Sequence, residues 1–315
     1  MKAWSLLLLF SLAAPTVRAD DPQDPDREAR YQYVVDKFAE WSLSRDQPEA
    51  TSPPAPLKNQ LAPILRYTNP SGGLVKDGTL FVWRDGVRPI AACSFSIRGP
   101  EDPNAVFFEM TSLVGTPLRC ERRGAARWTP KTGGLLDQAV PDAGAPEDRP
   151  VARLTTMRNI ARRFEAQNFL RDGKPNALRL MPQPIDRFQD EAAGLLDAAL
   201  FAFVEANDPE VLLLIEARKT ADSEKSWRYT IARMTSRQLQ VRLDGKEVFT
   251  APNFWQGPKS PDEPYLEARD GTMVLDRSTD PKAAPPGNPG AGSPPPVANP
   301  PGELFLRPFG VPRNS

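Results

Sequence analysis

The sequence contains no histidine and only two cysteines, Cys93 and Cys120. The first absence removes the usual general base of a serine or cysteine triad and the commonest transition-metal ligand. The second excludes a cysteine-built zinc site. A glycine-rich phosphate loop, a G-x-S-x-G elbow and an EF-hand pattern are also missing. No residue stands out as catalytic, cofactor-binding or metal-binding, and no cofactor is expected. Charge of one sign is absent too, because 40 Lys and Arg balance 40 Asp and Glu. Zero net charge gives no general pull toward nucleic acid or an anionic membrane. The locally basic stretch Arg119 to Arg127 ("RCERRGAAR") is interrupted by Glu121 and reads as the solvated face of a strand.

Long apolar runs are scarce. The single one, from about Ala3 to Ala14, follows Lys2 and precedes small residues at Val17 and Ala19. That is the pattern of a secretory signal peptide over residues 1–19, cut near Ala19. The run is short for a membrane anchor, and no cysteine follows it to carry a lipid. The mature chain is expected to be exported, periplasmic or secreted, without a transmembrane segment, and to meet a protein or cell-envelope partner that the sequence does not name.

What the chain does have is repeated text. "DGTLFVWRDGVRPIAACSFSIR" (Asp77 to Arg98) matches "DAALFAFVEANDPEVLLLIEAR" (Asp197 to Arg218) without a gap, at an offset of 120. Asp77, Leu80, Phe81, Trp83, Asp85, Pro89, Ala91 and Arg98 face Asp197, Leu200, Phe201, Phe203, Glu205, Pro209, Val211 and Arg218. Each stretch reads as a strand, a turn and a strand. Upstream, Tyr31, Val34, Val35, Phe38 and Trp41 lie at helical spacing, with Asp24 as N-cap and Pro25 in the first turn. Met157, Ile160, Ala161 and Phe164 repeat that spacing, with Thr155 or Thr156 as the expected cap. Downstream, "EMTSL" (Glu109 to Leu113) recurs as "RMTSR" (Arg233 to Arg237). Leu118, Cys120, Gly124, Trp128 and Thr129 then meet Leu239, Val241, Gly245, Phe249 and Thr250, and Asp244-Gly245 is a strong hairpin turn.

These patterns predict an α+β fold made by internal duplication. Each copy is a helix packed on a curved antiparallel sheet of four to five strands, cystatin-like by analogy of element order alone. The expected divisions are a first repeat over residues 24–130, a linker over 131–152 and a second repeat over 153–255. A proline-rich low-complexity tail over 256–302 and a short apolar segment over 303–315 follow.

The strings "LFVW", "EVLLLIEAR", "MTSR" and "IARRF" resemble a family of secreted, functionally uncharacterised planctomycete proteins. The resemblance spans roughly residues 60–255 and implies an envelope or secreted setting. It implies no activity, cofactor or catalytic residue.

The repeat also weighs the candidate sites. Cys93 falls opposite Leu213 and Cys120 opposite Val241, so both thiols read as small buried apolar groups. In a simple meander they lie two strands apart, about 9.6 Å, beyond the roughly 7 Å a disulfide bridges. Asp77 with Arg98, and Asp197 with Arg218, read as charge pairs at the open ends of the hairpins. A four-residue loop sets Asp77 opposite Arg98, and a two-residue Asp85-Gly86 turn sets it opposite Ser94. Acidic pairs for hydrolysis, Asp85 with Glu109 or Glu205 with Glu216, carry almost no signal from sequence. Trp83, Phe107, Trp227, Tyr229 and Phe249 sit at alternating strand positions and read as core. Three functions follow in order: an exported non-enzymatic binding or structural module, a small-ligand binder with a pocket between helix and sheet, and a histidine-free carboxylate hydrolase.

Overall fold

The computed structural model describes residues 24–274, except 25, 48–54, 70–74, 100–101, 221 and 258. The expected signal peptide, residues 275–302 of the expected tail and the segment 303–315 lie outside the described residues. The first half runs α1 (Arg27–Ala39), β1 (Trp41–Arg45), β2 (Lys58–Asn59), β3 (Leu65–Asn69), β4 (Val75–Asp85), β5 (Arg88–Arg98), β6 (Ala105–Ser112), β7 (Leu118–Arg122), β8 (Ala125–Trp128) and β9 (Leu135–Ala139). The second runs α2 (Pro150–Ala161), β10 (Phe164–Phe169), β11 (Pro175–Ala177), β12 (Arg179–Leu180), β13 (Asp186–Asp190), β14 (Leu195–Glu205), β15 (Asp208–Lys219), β16 (Lys225–Arg233), β17 (Leu239–Leu243), β18 (Lys246–Ala251) and β19 (Tyr265–Thr272).

The architecture corrects the predicted α+β class. Among the described residues strand makes up 52% and helix 12%, with two α-helices and four sheets, so the fold is β-rich. The physical reason lies in the hairpins. "FVW" and "VLLLI" are continuous apolar runs, not alternating ones, and such runs are buried on both faces. A single helix covers only one face. Phe81, Trp83, Cys93 and Phe95 point into a core with Phe38 of α1. Leu80, Val82 and Ala92 point the other way, against Leu200, Ala202, Val204, Leu212 and Leu214 of β14 and β15. Phe201, Phe203, Leu213 and Ile215 then form a third core with Met157 and Ile160 of α2. The two hairpins therefore pack back to back, and each helix lies on an outer face.

Each half holds two sheets where the sequence predicts one. β1, β7 and β8 form a three-stranded sheet apart from the six-stranded one that holds β4, β5 and β6, and β10, β11, β17 and β18 form a separate four-stranded sheet. Both helices also end earlier than their periodicity suggested. Trp41 opens β1 and Phe164 opens β10. α1 has Asp26 at its N-cap, and α2 starts at Pro150 after Arg149, not at Thr155 or Thr156. Asp24 instead accepts the Asp26 N–H at 3.3 Å and pairs with Arg30.

The hairpins share one register at the offset of 120. Asp85 faces Arg88 and Arg84 faces Pro89; Glu205 faces Asp208 and Val204 faces Pro209. The loops are Gly86-Val87 and Ala206-Asn207, and each hairpin carries two irregularities at matching places. These put Asp77 opposite Ile97, a register between the two predicted ones. The Asp244-Gly245 turn forms as expected, with φ of 50° and 76° at its two residues, the signature of a type I′ hairpin.

Two strands cross between the halves. β9, within the segment expected as a linker, pairs with β16. β19, within the segment expected as tail, pairs with β6. Each half is therefore edged by the last strand of the other.

Cys93 and Cys120 are free, buried and part of one core. They belong to different sheets, so the meander spacing predicted for them does not apply. Burial raises both thiols well above their ordinary value. Native protein should leave both unlabelled by a thiol reagent over minutes, and denatured protein should titrate two per chain. Rapid native labelling would contradict this packing.

Candidate functional site

The predicted site residues are scattered. Asp85 sits at a hairpin turn, bonded by Arg45 at 2.6 Å, and does not join Glu109 on β6. Glu205 pairs with Arg237 at 2.6 Å, while Glu216 pairs with Arg88 at 3.1 Å and Arg218 at 2.5 Å. The basic stretch is internally answered. Arg119 bonds Glu121, and Arg122 bonds Glu40 and Asp270. Trp83, Phe107, Trp227 and Tyr229 are buried and Phe249 partly so, as core residues should be.

The expected Asp77–Arg98 and Asp197–Arg218 pairs do not form. Asp77 lies between two other guanidiniums, Arg30 of α1 at 3.4 Å and Arg66 of β3 at 2.9 Å. Asp197 lies between Arg153 of α2 at 3.2 Å and Arg187 of β13 at 2.7 Å. Arg66 also donates to the Arg27 carbonyl and Arg187 to the Pro150 carbonyl. Each triad thus ties the first turn of a helix to the open end of a hairpin. Arg98 turns instead to Glu267, at 2.9 Å.

That contact belongs to a carboxylate cluster absent from the sequence reading. Glu109 on β6 and Glu267 on β19 are direct cross-strand partners, and like charges so placed repel. Asp208 and Glu210 join them from the start of β15. Glu267 is held by Arg98 and by the Trp255 indole N–H, at 2.9 and 2.7 Å. Glu109 accepts from the Tyr265 hydroxyl at 3.0 Å. Glu210 accepts from Asn168 at 2.9 Å. Asp208 meets the Tyr67 hydroxyl, which also contacts Ser94 Oγ at 2.5 Å. Gly78 makes that reach possible, since a Cβ there would fall 2.3 Å from the Tyr67 ring.

Burial, reinforced by Glu267, Asp208 and Glu210, pushes Glu109 well above the ordinary carboxylate range. Burial does the same to Asp208, with Glu210 adding to it, and raises Glu210 against the opposing hydrogen bonds from Thr235 and Asn168. Raised acids hold protons in the folded state that the unfolded chain has released. Their contribution is therefore fully present below the ordinary carboxylate pKa and is lost as pH rises from there through the raised values. Glu109→Gln mimics the protonated acid. It should match the parent near pH 4 and exceed its stability near pH 8 by on the order of 1 kcal/mol. Equal stability at both pH values in denaturant melts would show Glu109 to be ionised in the fold.

An open depression lies elsewhere, on the second half. Its volume is about 360 Å³, and it is lined by Leu178, Leu180 and Phe203 below and by Arg162, Glu165 and Arg242 at the rim. It sits where β10 and β17 meet the connection from β11 to β12. The helix–sheet space where a pocket had been expected is instead filled by Met157 and Ile160.

Comparison with protein-family models, with curated proteins and with solved structures yields no match. Among the described residues no group of three or more Cys, Asp or Glu is arranged to hold a metal ion. No helix among them is long and apolar enough to cross a membrane.

Proposed function

We propose that the chain is an exported, non-enzymatic binding module, with the depression on its second half as the binding site. One contrast carries this. The carboxylates gathered at the junction of the halves are engaged by the chain's own Arg98, Trp255, Tyr265, Tyr67 and Asn168, whereas the depression offers exposed guanidiniums above an apolar floor. A site for small molecules combines an apolar lining with a few polar groups that fix orientation. The N-terminal pattern of residues 1–19 supports export, and the proline-rich segment is taken as a spacer. The common hairpin register supports descent of both halves from one repeated unit.

The hydrolase alternative is tested through the acids most displaced from ordinary values. Chromogenic ester, phosphate and glycoside substrates should show no turnover that Glu109→Gln or Asp208→Asn abolishes. Turnover lost in either variant, with the fold intact by circular dichroism, would replace the binding reading with an enzymatic one.

A further inference from the structure

We infer that the depression binds a monocarboxylate with an apolar body, its head held by Arg162 and Arg242 and its body lying on Leu178, Leu180 and Phe203. The inference rests on the binding-module reading and adds a ligand class to it.

The rim is positive by construction. Among the described residues no carboxylate lies within salt-bridge distance of Arg242. Among the same residues the guanidinium of Arg162 meets the neutral Asn159 side chain, at 2.9 Å, and no carboxylate. Glu165 is the direct cross-strand partner of Arg242, yet the two form no ion pair. Both arginines and Glu165 are exposed, so the guanidiniums are free to meet a ligand. The floor is the opposite. Phe203 and Leu178 are buried side chains, and Leu180 is the half-buried one among the three, so an apolar body would lie chiefly on Leu180.

The first half shows the same register closed. The β1–β7 pairing sets Ser42 opposite Glu121 where the β10–β17 pairing sets Glu165 opposite Arg242. There Arg119 Nε donates to Glu121 at 2.6 Å, so the guanidinium has its own carboxylate. At the hairpin offset, the buried indole of Trp83 stands where the second half has the smaller ring of Phe203. One half thus sets an acid, answered by Arg119, at the register position where the other sets Arg242. A planar guanidinium pair matches a carboxylate in shape as well as charge. The volume of about 360 Å³ holds roughly a dozen water-sized groups at about 30 Å³ each, which suits an eight-carbon acid.

The probes are octanoate and its neutral isostere octanamide, titrated calorimetrically into the full mature chain. Octanoate should bind about tenfold more tightly than octanamide. Arg162→Gln and Arg242→Gln should each weaken octanoate several-fold and leave octanamide unchanged. Glu165→Gln should tighten octanoate, because it removes the rim's one negative charge. These positions are exposed, so the variants should keep the parent melting temperature. Equal binding of acid and amide, unmoved by either arginine variant, would overturn the ligand class while leaving a binding site in place. No heat from either probe would overturn the class and the site together.

Discussion

A chain ending at residue 256 will lose the cooperative melting of its first half, whereas a chain ending at residue 274 will keep it. The removed stretch looks expendable, since it lies beyond the second hairpin and leads into proline-rich text. Yet β19 closes the first half. Tyr265, Leu266, Ala268 and Met273 belong to the same core as Phe38, Trp41 and Phe95. Glu267 takes the Arg98 guanidinium, and Asp270 takes Arg122. The Glu263 carbonyl accepts the Trp128 indole N–H at 2.9 Å. Burying a large apolar side chain stabilises by about 1.5–3 kcal/mol. Tyr265, Leu266 and Met273 together therefore contribute on the order of 5 kcal/mol, comparable with the whole stability of a typical domain. Their removal also leaves β6 as an open edge, which invites aggregation. Calorimetry of the two truncations decides it. Melting temperatures within about two degrees of each other would mean that β19 contributes little to the first half.

Asp77→Ala and Asp197→Ala will each cost about 3–5 kcal/mol, the range for removing one partner of a buried ion pair. Asp77 is 5% exposed and Asp197 1%. The arginines left behind, Arg30 and Arg153, are 1% and 3% exposed, so water cannot replace the lost carboxylate. Arg30 still keeps Asp24, while Arg153 keeps the Glu147 and Asp148 carbonyls. This places Asp77→Ala at the low end of the range and Asp197→Ala at the high end. The loss also frees each helix start from its hairpin, because Arg66 and Arg187 reach the helix carbonyls from the same carboxylate. Combining Asp197→Ala with Arg153→Met should recover part of the cost, since an apolar replacement of both partners removes the stranded charge. A single-variant cost below about 1 kcal/mol in urea melts would reduce the triads to ordinary surface pairs.

Residues that report on their immediate neighbours were legible in the sequence. The hairpins, the Asp244-Gly245 turn and the burial of both thiols follow from local patterns. The helices were found but misplaced, because Trp41 and Phe164 continue the helical spacing while belonging to strands. Pairings between distant residues left no local mark. Nothing in "YLEARDGT" points to β6, more than 150 residues earlier, and "LLDQA" is short and surrounded by glycine and proline. The β-rich class was missed for the same reason. A run buried on both faces says that something covers it, without saying that the cover is the other hairpin.

The carboxylate cluster was hidden because its members come from residues 109, 208, 210 and 267, and charged residues read by default as solvated. One signal was available. The comparison that sets Cys93 against Leu213 also sets Glu210 against Ile90, a buried aliphatic position. An acid where the matching stretch has isoleucine marks a carboxylate inside the fold. The depression left no such mark, because Arg162 and Arg242 resemble any other exposed arginine until it is known that no carboxylate among the described residues pairs with them.

Hydrogen–deuterium exchange of the intact chain tests most directly whether the crossed strands lock the halves into one unit. The amides of β6 paired to β19, and those of β16 paired to β9, should exchange with the same free energy and denaturant dependence as the hairpin cores of both halves. Exchange of β19 and β9 at low free energy, while each hairpin opens independently of the other, would contradict the interlocked fold.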